Sequence, residues 1–364
     1  MANRKIDLGV AQTKGVFVVT GKVTGRYSNN FYSEGTSQSG VPWRRVHFGV
    51  EIESGKVVYI DMFGAVTENV YFSKSIRGAD GKNQTTTKSV SWASRTKTSK
   101  QLFGEDGYRI IGINCGCKKT IDKNGKEVND NKNLTSYDAC DEVGNLNDGD
   151  SVYVRGNITY STYEGKHRVS FEPTQISLAR DEIDFDAVDF QPHAVFNQNI
   201  VFKGVTKNEE VPGEYIINAL IVNYQSIEEA EFYTRELSLA KNLKKLGEYC
   251  YVECWGEIVV EGSLEEVKEE DNGWGRANPM KRVASPFTRK LIVIGANPDT
   301  LDKDSYSKDK IEHALEIIAG IQSAKKDYGK MSDDIDDGDS NGWGRKQAKQ
   351  DNTSIDDMDL DELV

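Results

Sequence analysis

Two stretches of this chain, about 100 residues apart, follow one plan. Gly149-Asp150-Ser151-Val152-Tyr153-Val154-Arg155-Gly156-Asn157-Ile158 and Gly247-Glu248-Tyr249-Cys250-Tyr251-Val252-Glu253-Cys254-Trp255-Gly256-Glu257-Ile258 each set a glycine–acid turn before a strand of period two. Each strand carries an inner glycine, which permits the sharp bend or bulge of a barrel corner. Two β-blocks built alike are therefore expected.

The surrounding sequence agrees with a mainly β fold. Runs of β-branched and aromatic residues between Gly, Asn and Ser clusters predict strands at about 15–27, 43–53, 56–63, 107–115, 150–160 and 167–178. A second series is predicted at about 195–206, 214–225, 229–236, 248–260 and 288–296, with a short helix at 238–246. The polar stretch 73–100, with seven Lys or Arg against one Asp, reads as a long loop or insertion. Residues 306–328 form an amphipathic helix with Ile311, Leu315, Ile318 and Ile321 on one side. From Met331 onward the composition is that of a disordered segment. The expected boundaries are a basic domain over 1–180, an acidic linker over 181–194, a second β domain over 195–305, a helix over 306–330 and an acidic tail over 331–364.

Net charge is −12, but its distribution matters more than its sum. Residues 1–180 carry 25 basic and 19 acidic groups, residues 190–304 carry 13 and 19, and residues 331–364 carry 3 and 11. These are three different electrostatic objects. No apolar run approaches the ~20 residues of a membrane helix, and the start lacks the apolar stretch of a secretory signal. Five cysteines at irregular spacing are no disulfide framework, so a reducing cytoplasm is expected. Cys115, Cys117 and Cys140, with His167 as a fourth donor, are weighed as zinc ligands against buried thiols; paired C-x₂-C spacing is missing. Walker A, GxGxxG, HExxH and GxSxG motifs are absent, and the acids crowd the linker and tail, so neither an enzyme nor a cofactor is expected.

The two β-blocks, over roughly residues 10–180 and 190–300, resemble tandem OB-folds, five-stranded Greek-key barrels that bind oligonucleotides. With the acidic end DNTSIDDMDLDELV, the whole is similar to a bacteriophage-type single-stranded DNA-binding protein. Bacterial single-stranded DNA-binding proteins close on Pro-Phe; Leu363-Val364 stands here instead. The resemblance implies a non-catalytic protein that coats single-stranded DNA largely without sequence preference during replication, recombination or repair. It implies partner recruitment through the tail residues Asp356, Asp357, Met358, Asp359, Leu360, Asp361, Glu362, Leu363 and Val364. The cytoplasm, of the host if the chain is phage-encoded, is the implied setting. The alternative is a phage-type regulator whose OB-folds bind a host or replisome protein.

Strand geometry nominates the residues for such a role. Val46, Phe48, Val50 and Ile52 fill a barrel and turn Trp43, Arg45 and His47 outward; on the next strand Tyr59, Asp61 and Phe63 alternate with Val58, Ile60 and Met62. Trp43, Arg45, Tyr59 and Phe63 are expected on one face, unless the rings serve ordinary packing, and the neighbouring Arg44 is a further candidate for DNA contact. The loop from Arg26 and Tyr27 to Phe31 and Tyr32, and the loop from Tyr160 through Tyr163 to Lys166, combine rings with cations. Tyr153 and Arg155 share a strand face, and the basic segment Lys74, Arg77, Lys82, Lys88, Arg95, Lys97 and Lys100, with Trp92 inside it, would close over a bound strand. Rings stack on bases for about 1–3 kcal/mol each, and cations neutralise phosphates. The second block lacks this equipment unless Lys203, Lys207, Arg235, Lys281 and Arg282 cluster, so self-association or protein contact is its expected use. Asn272-Gly273-Trp274-Gly275-Arg276 recurs as Asn341-Gly342-Trp343-Gly344-Arg345, a movable stacking device or a hook for a partner. The tail either docks on a partner's basic pocket or lies in the protein's own basic groove.

Overall fold

Alternation of apolar and polar residues makes Gly15–Thr24 the first strand, β1, with Phe17, Val19 and Val23 buried and Val16, Val18 and Thr20 facing outward. A computed structural model of the chain describes residues 7–77, 83–101, 106–163, 165–262 and 288–333. After β1 come β2 (Tyr32–Thr36), β3 (Pro42–Glu53), β4 (Lys56–Ala65), β5 (Asn69–Arg77) and β6 (Asn83–Ser91). A 3₁₀ turn (Trp92–Ser94), helix α1 (Arg95–Gln101) and the short strands β7 (Arg109–Ile110), β8 (Ile113–Gly116), β9 (Lys119–Ile121), β10 (Glu127–Asn129) and β11 (Lys132–Leu134) follow. Helix α2 (Ser136–Val143) leads to the long hairpin β12 (Ser151–Tyr163) and β13 (Lys166–Leu178). The second block is β14 (His193–Lys207), β15 (Tyr215–Val222), β16 (Ile227–Thr234), α3 (Leu237–Leu243), β17 (Cys250–Glu261) and β18 (Thr288–Asp302), then helix α4 (Lys308–Asp333).

The second block closes on itself. Its pairs run β14–β15, β15–β16, β16–β18, β18–β17 and β17–β14, all antiparallel except β16–β18. The first block has the same spine: β1 pairs with β3 and β12, β3 with β4, and β12 with β13, while β13 takes β8 as a parallel neighbour and β4 packs against it. The blocks are joined through β1 and β14, antiparallel from Gly15↔Gln198 to Thr20↔His193. One core runs through both, with Phe17, Phe48, Phe171, Phe196 and Phe232 among its largest members. Each such ring contributes about 1.5–3 kcal/mol by leaving water.

The repeated inner glycines do one job in both blocks. The ladder slips a residue between Arg155 and Gly156, and again between Trp255 and Gly256. A side chain at Gly156 would overlap the Glu172 carbonyl, and one at Gly256 the Ile292 carbonyl.

Three expectations are corrected. The stretch 73–100 is no loop: the β5–β6 hairpin, the 3₁₀ turn and α1 occupy most of it, and β7 pairs with β5. Val70, Phe72, Tyr108 and Ile110 give this arm a small core of its own, and Thr85, Thr86, Thr87 and Val90 supply the β-propensity that the lysines obscured. The strand expected over 107–115 is broken into β7 and β8. In α4 the covered stripe is Ile311, Ala314 and Ile318, against Leu8, Val201, Leu220 and Val222; Leu315 is 44% exposed, because the stripe centres on Ala314. The chain divides at Ile318, and of the unit beyond it the structure describes the rest of α4. Helix α2 had no counterpart in the sequence reading, although Thr135 caps it by accepting the Asp138 N–H at 3.1 Å.

Gly156→Ala and Gly256→Ala are each expected to destabilise the fold by about 1–3 kcal/mol, since a backbone carbonyl rather than a pliable side chain must move. Urea denaturation reads this as a lowered midpoint with an unchanged slope.

Candidate nucleic-acid interface

The outer face of β3 and β4 presents six side chains in three diagonal pairs. The register sets Trp43 opposite Ala65, Arg45 opposite Phe63, and His47 opposite Asp61. Each β3 side chain leans to the diagonal neighbour two residues back along β4, within reach for rings and long side chains. Trp43 stacks on Phe63 with centroids 6.1 Å apart and planes at 29°. Arg45 Nη2 donates to Asp61 Oδ1 at 2.9 Å. His47 stacks on Tyr59 at 5.1 Å and 8°. The result is a ladder of ring pair, ion pair and ring pair, its rungs about 6.6 Å apart at two residues per step. Phe63 is 61% and Tyr59 45% exposed, so both offer a ring face to solvent.

Asp61 ties the ladder together. Its Oδ1 also accepts from His47 Nδ1 at 2.9 Å. Burial alone would favour the neutral acid, but the hydrogen bonds from His47 and Arg45 outweigh it and hold the carboxyl at about 2, below its usual 3.8.

The structure brings together some of the nominated residues and withdraws others. Phe31 and Tyr160, expected at loop surfaces, are core residues at 2% and 6% exposure. Phe31 packs beside Phe48, and the Tyr160 hydroxyl donates to Gln198 Oε1 at 3.2 Å, its proton held more tightly through burial. Neither loop is a free loop: Tyr32 belongs to β2, and the β12–β13 hairpin runs on to Tyr163, whose side chain lies outside what is described. The Tyr32 hydroxyl donates to Glu34 and Asp141, while Tyr27 stands 76% exposed. Arg26 donates to the Gly144 and Leu146 carbonyls and lies over Phe31, locking the end of β1 to the turn after α2.

Several other cations already hold acceptors. Arg44 is paired with Glu34 and Asp141 and lies 4.0 Å from the Tyr137 ring. Arg95 forms a two-pronged bond to Asp138 and covers Trp92, whose ring meets Tyr137 edge-on. Lys88 pairs with Asp106, and Lys74 and Lys88 both lie over Tyr108. Arg77, Lys97, Arg155 and Lys166 are exposed, and Tyr153 is half-buried on the outer side of β12. Lys82, Lys281, Arg282, both NGWGR segments and the tail residues 356–364 lie outside the described residues, as does the side chain of Lys100.

The second block's corresponding face is different. Asn218 stands opposite Glu231 and Leu220 opposite Glu229. Lys203 is bound to Glu229, and Arg235 to Glu214 and Glu261, so neither of these two is a free cation. A cleft of about 670 Å³ beside it is lined by Glu209, Glu210, Glu231 and Glu261 against Lys207 and Lys290.

The cysteines are core groups. All five are buried and free; the hydrogen bond with Cys117 and burial push the Cys115 thiol up, and burial takes Cys140 to about 12. His167, considered as a fourth zinc ligand, is bonded instead to Thr162 at the hairpin end. Among the described residues, no group of three or more His, Cys, Asp or Glu is arranged to hold a metal ion. No described helix is long and apolar enough to cross a membrane.

The sequence reading passed over the roles of Asp61 and His47; the signal was present, since both occupy outward positions between the aromatic ones. Because the folded Asp61 carboxyl titrates below its unfolded value, its stabilisation is complete above pH 4 and is lost as pH falls toward 2. Asp61→Asn is expected to cost about 2 kcal/mol at neutral pH and to flatten the acid limb of the stability curve, measured by urea midpoints at neutral and acidic pH.

Among solved structures, the chain is similar to wild-type single-stranded DNA binding protein from Thermus aquaticus, at 11% identity and a TM-score of 0.33, over 79% of this chain and 93% of that one. A deletion mutant of the same Thermus aquaticus protein gives 11% identity, a TM-score of 0.34, and 79% and 94% coverage. No curated protein matches. The profile of the family described as YorF matches residues 80–331, well over half the sequence, from the basic hairpin arm through α4. The chain belongs to the YorF family.

Proposed function

We propose that this protein binds single-stranded DNA along the β3–β4 face of its first block, largely through stacking, and that the two blocks are tandem OB-folds. The observation that carries this reading is the ladder: two stacked ring pairs with open faces, two rungs or about 13 Å apart, a span for two steps of an extended single strand. A ring pair exposed to water gains nothing for the core, whereas a base laid on it contributes about 1–3 kcal/mol. The strand pairing supports the OB reading: in both blocks the last long strand has a parallel neighbour, β8 for β13 and β16 for β18, and a helix precedes the strand that pairs with it, α2 before β12 and α3 before β17.

In this reading residues 1–180 are the binding domain, residues 195–305 the second OB-fold, and the acidic segment 331–364 a recruiting tail for replication, recombination or repair proteins. The acidic outer face of the second block favours protein contact or self-association over phosphate there. The exposed Arg77, Lys97, Arg155 and Lys166 are the cations open to phosphates.

Trp43→Ala and Phe63→Ala are each expected to weaken binding of a labelled single-stranded oligonucleotide by about 1–3 kcal/mol, and to spare thermal stability, measured by anisotropy and melting. Binding is expected to survive competition by duplex DNA; unchanged affinity in both variants would sink the reading. Arg155→Ala and Lys166→Ala should each reduce the slope of log affinity against log salt by about 1. Deleting 351–364 should leave oligonucleotide affinity intact or raised, and a marked loss would refute both roles given to the tail.

A further inference from the structure

We infer that Asp61 makes the middle rung of the ladder selective for bases that present an exocyclic amino group, and selects against thymine and uracil. The inference rests on the single-strand reading above and adds to it: ring stacking is indifferent to base identity, but an ionised carboxylate is not. Asp61 stands between the Trp43–Phe63 and His47–Tyr59 pairs, so a nucleotide bridging two stacked neighbours has its base over Asp61 and Arg45.

The two oxygens of Asp61 are not equivalent. Oδ1 takes both the Arg45 and the His47 bonds. A carboxylate only accepts, so His47 Nδ1 is the donor in that contact. Oδ2 has no hydrogen-bond partner among the described residues, while the side chain is 26% exposed on the outward face. Arg45 and His47 both bond Oδ1 and hold the group in place without covering Oδ2; Arg289, donating to the Val169 carbonyl, is a second cation whose charge acts on Asp61 and makes no hydrogen bond to it.

Cytosine N4 and adenine N6 carry amino hydrogens at the rim of the base, and guanine carries N2; each can donate to such an oxygen, as carboxylates accept from cytosine N4 in duplex readout. Thymine and uracil place a carbonyl where cytosine has its amino group. Their single ring N–H is flanked by two carbonyl oxygens that a carboxylate repels. The half-occupied carboxylate thus rewards one class and penalises the other.

The test uses the full chain and two labelled oligomers of equal length, one of deoxycytidine and one of deoxyuridine, above neutral pH so that the cytosine run stays single-stranded. They differ at the C4 substituent and N3. The wild type is expected to bind the cytosine oligomer about tenfold more tightly. Asp61→Asn, which offers both a donor and an acceptor, is expected to bring that ratio close to one while strengthening both complexes through loss of a negative charge. Asp61→Glu is expected to retain the preference. Equal wild-type affinities overturn the inference without any variant. So does a ratio that persists in Asp61→Asn when its melting transition shows it folded. Tight but equal binding of both oligomers leaves the single-strand reading standing and removes this inference alone; binding of neither removes both.

Discussion

A strand has two edges, and β1 serves three partners. One edge is given to β12 from Val16 to Lys22. The other is divided: Gly15–Thr20 pairs with β14, and Lys22–Thr24 with β3. At the handover, Gly21 lies so close to the Glu51 carbonyl that any side chain would overlap it. β14 is divided the same way, its first half to β1 and its second to β15, with β17 along the opposite edge. Unpaired backbone groups are costly when buried, and a bare edge invites other strands, so each block's first strand needs the other block. Asn223 donating to the Tyr160 carbonyl, Thr162 to Glu228, and Arg289 to the Val169 carbonyl tie the β12–β13 hairpin to the second block around this shared seam.

On the outer face of β3 and β4, Tyr59 and Phe63 stay exposed, while β3 gives one edge to β1 and β2 and the other to β4. In the second block the comparable surface is partly taken by α4, whose Ile311, Ala314 and Ile318 cover Leu220 and Val222. Two blocks with one strand plan therefore expose different faces: one carries paired rings, the other a helix and carboxylates. The same arrangement explains why the surplus of positive charge over residues 1–180 is a poor map of free cations. Arg26, Arg44 and Arg95 hold α2 and its flanking turns in place, and Arg45 neutralises Asp61. The value of these contacts is positional: each holds a turn, a helix or a carboxylate in place.

Much of the fold was legible because period two is a strong signal where one face is buried. The strands expected over 43–53, 150–160 and 195–206 correspond to β3, β12 and β14, and the inner glycines of the repeat sit at matching bulges. The outward set on β3 and β4 followed from the same alternation. The basic arm was misread because lysines dominate its composition while its threonines and Phe72 decide its structure. α2 was missed because eight residues with three buried positions give little periodicity. Phe31 and Tyr160 were misplaced because a ring beside a turn looks exposed until the partner that covers it is known.

The sequence by itself determined which side chains share a strand face, since neighbouring residues on a strand must point to opposite sides. It thereby determined that Trp43, Arg45 and His47 face away from Val46 and Phe48. Only the tertiary structure decided that each leans to a diagonal partner and that both Arg45 and His47 converge on one oxygen of Asp61. It also decided which of two similar blocks would lose part of its outer face to a helix. Alternation fixes direction along one strand; register, diagonal reach and coverage depend on residues far away in the chain, and those distances exist only once the strands are paired.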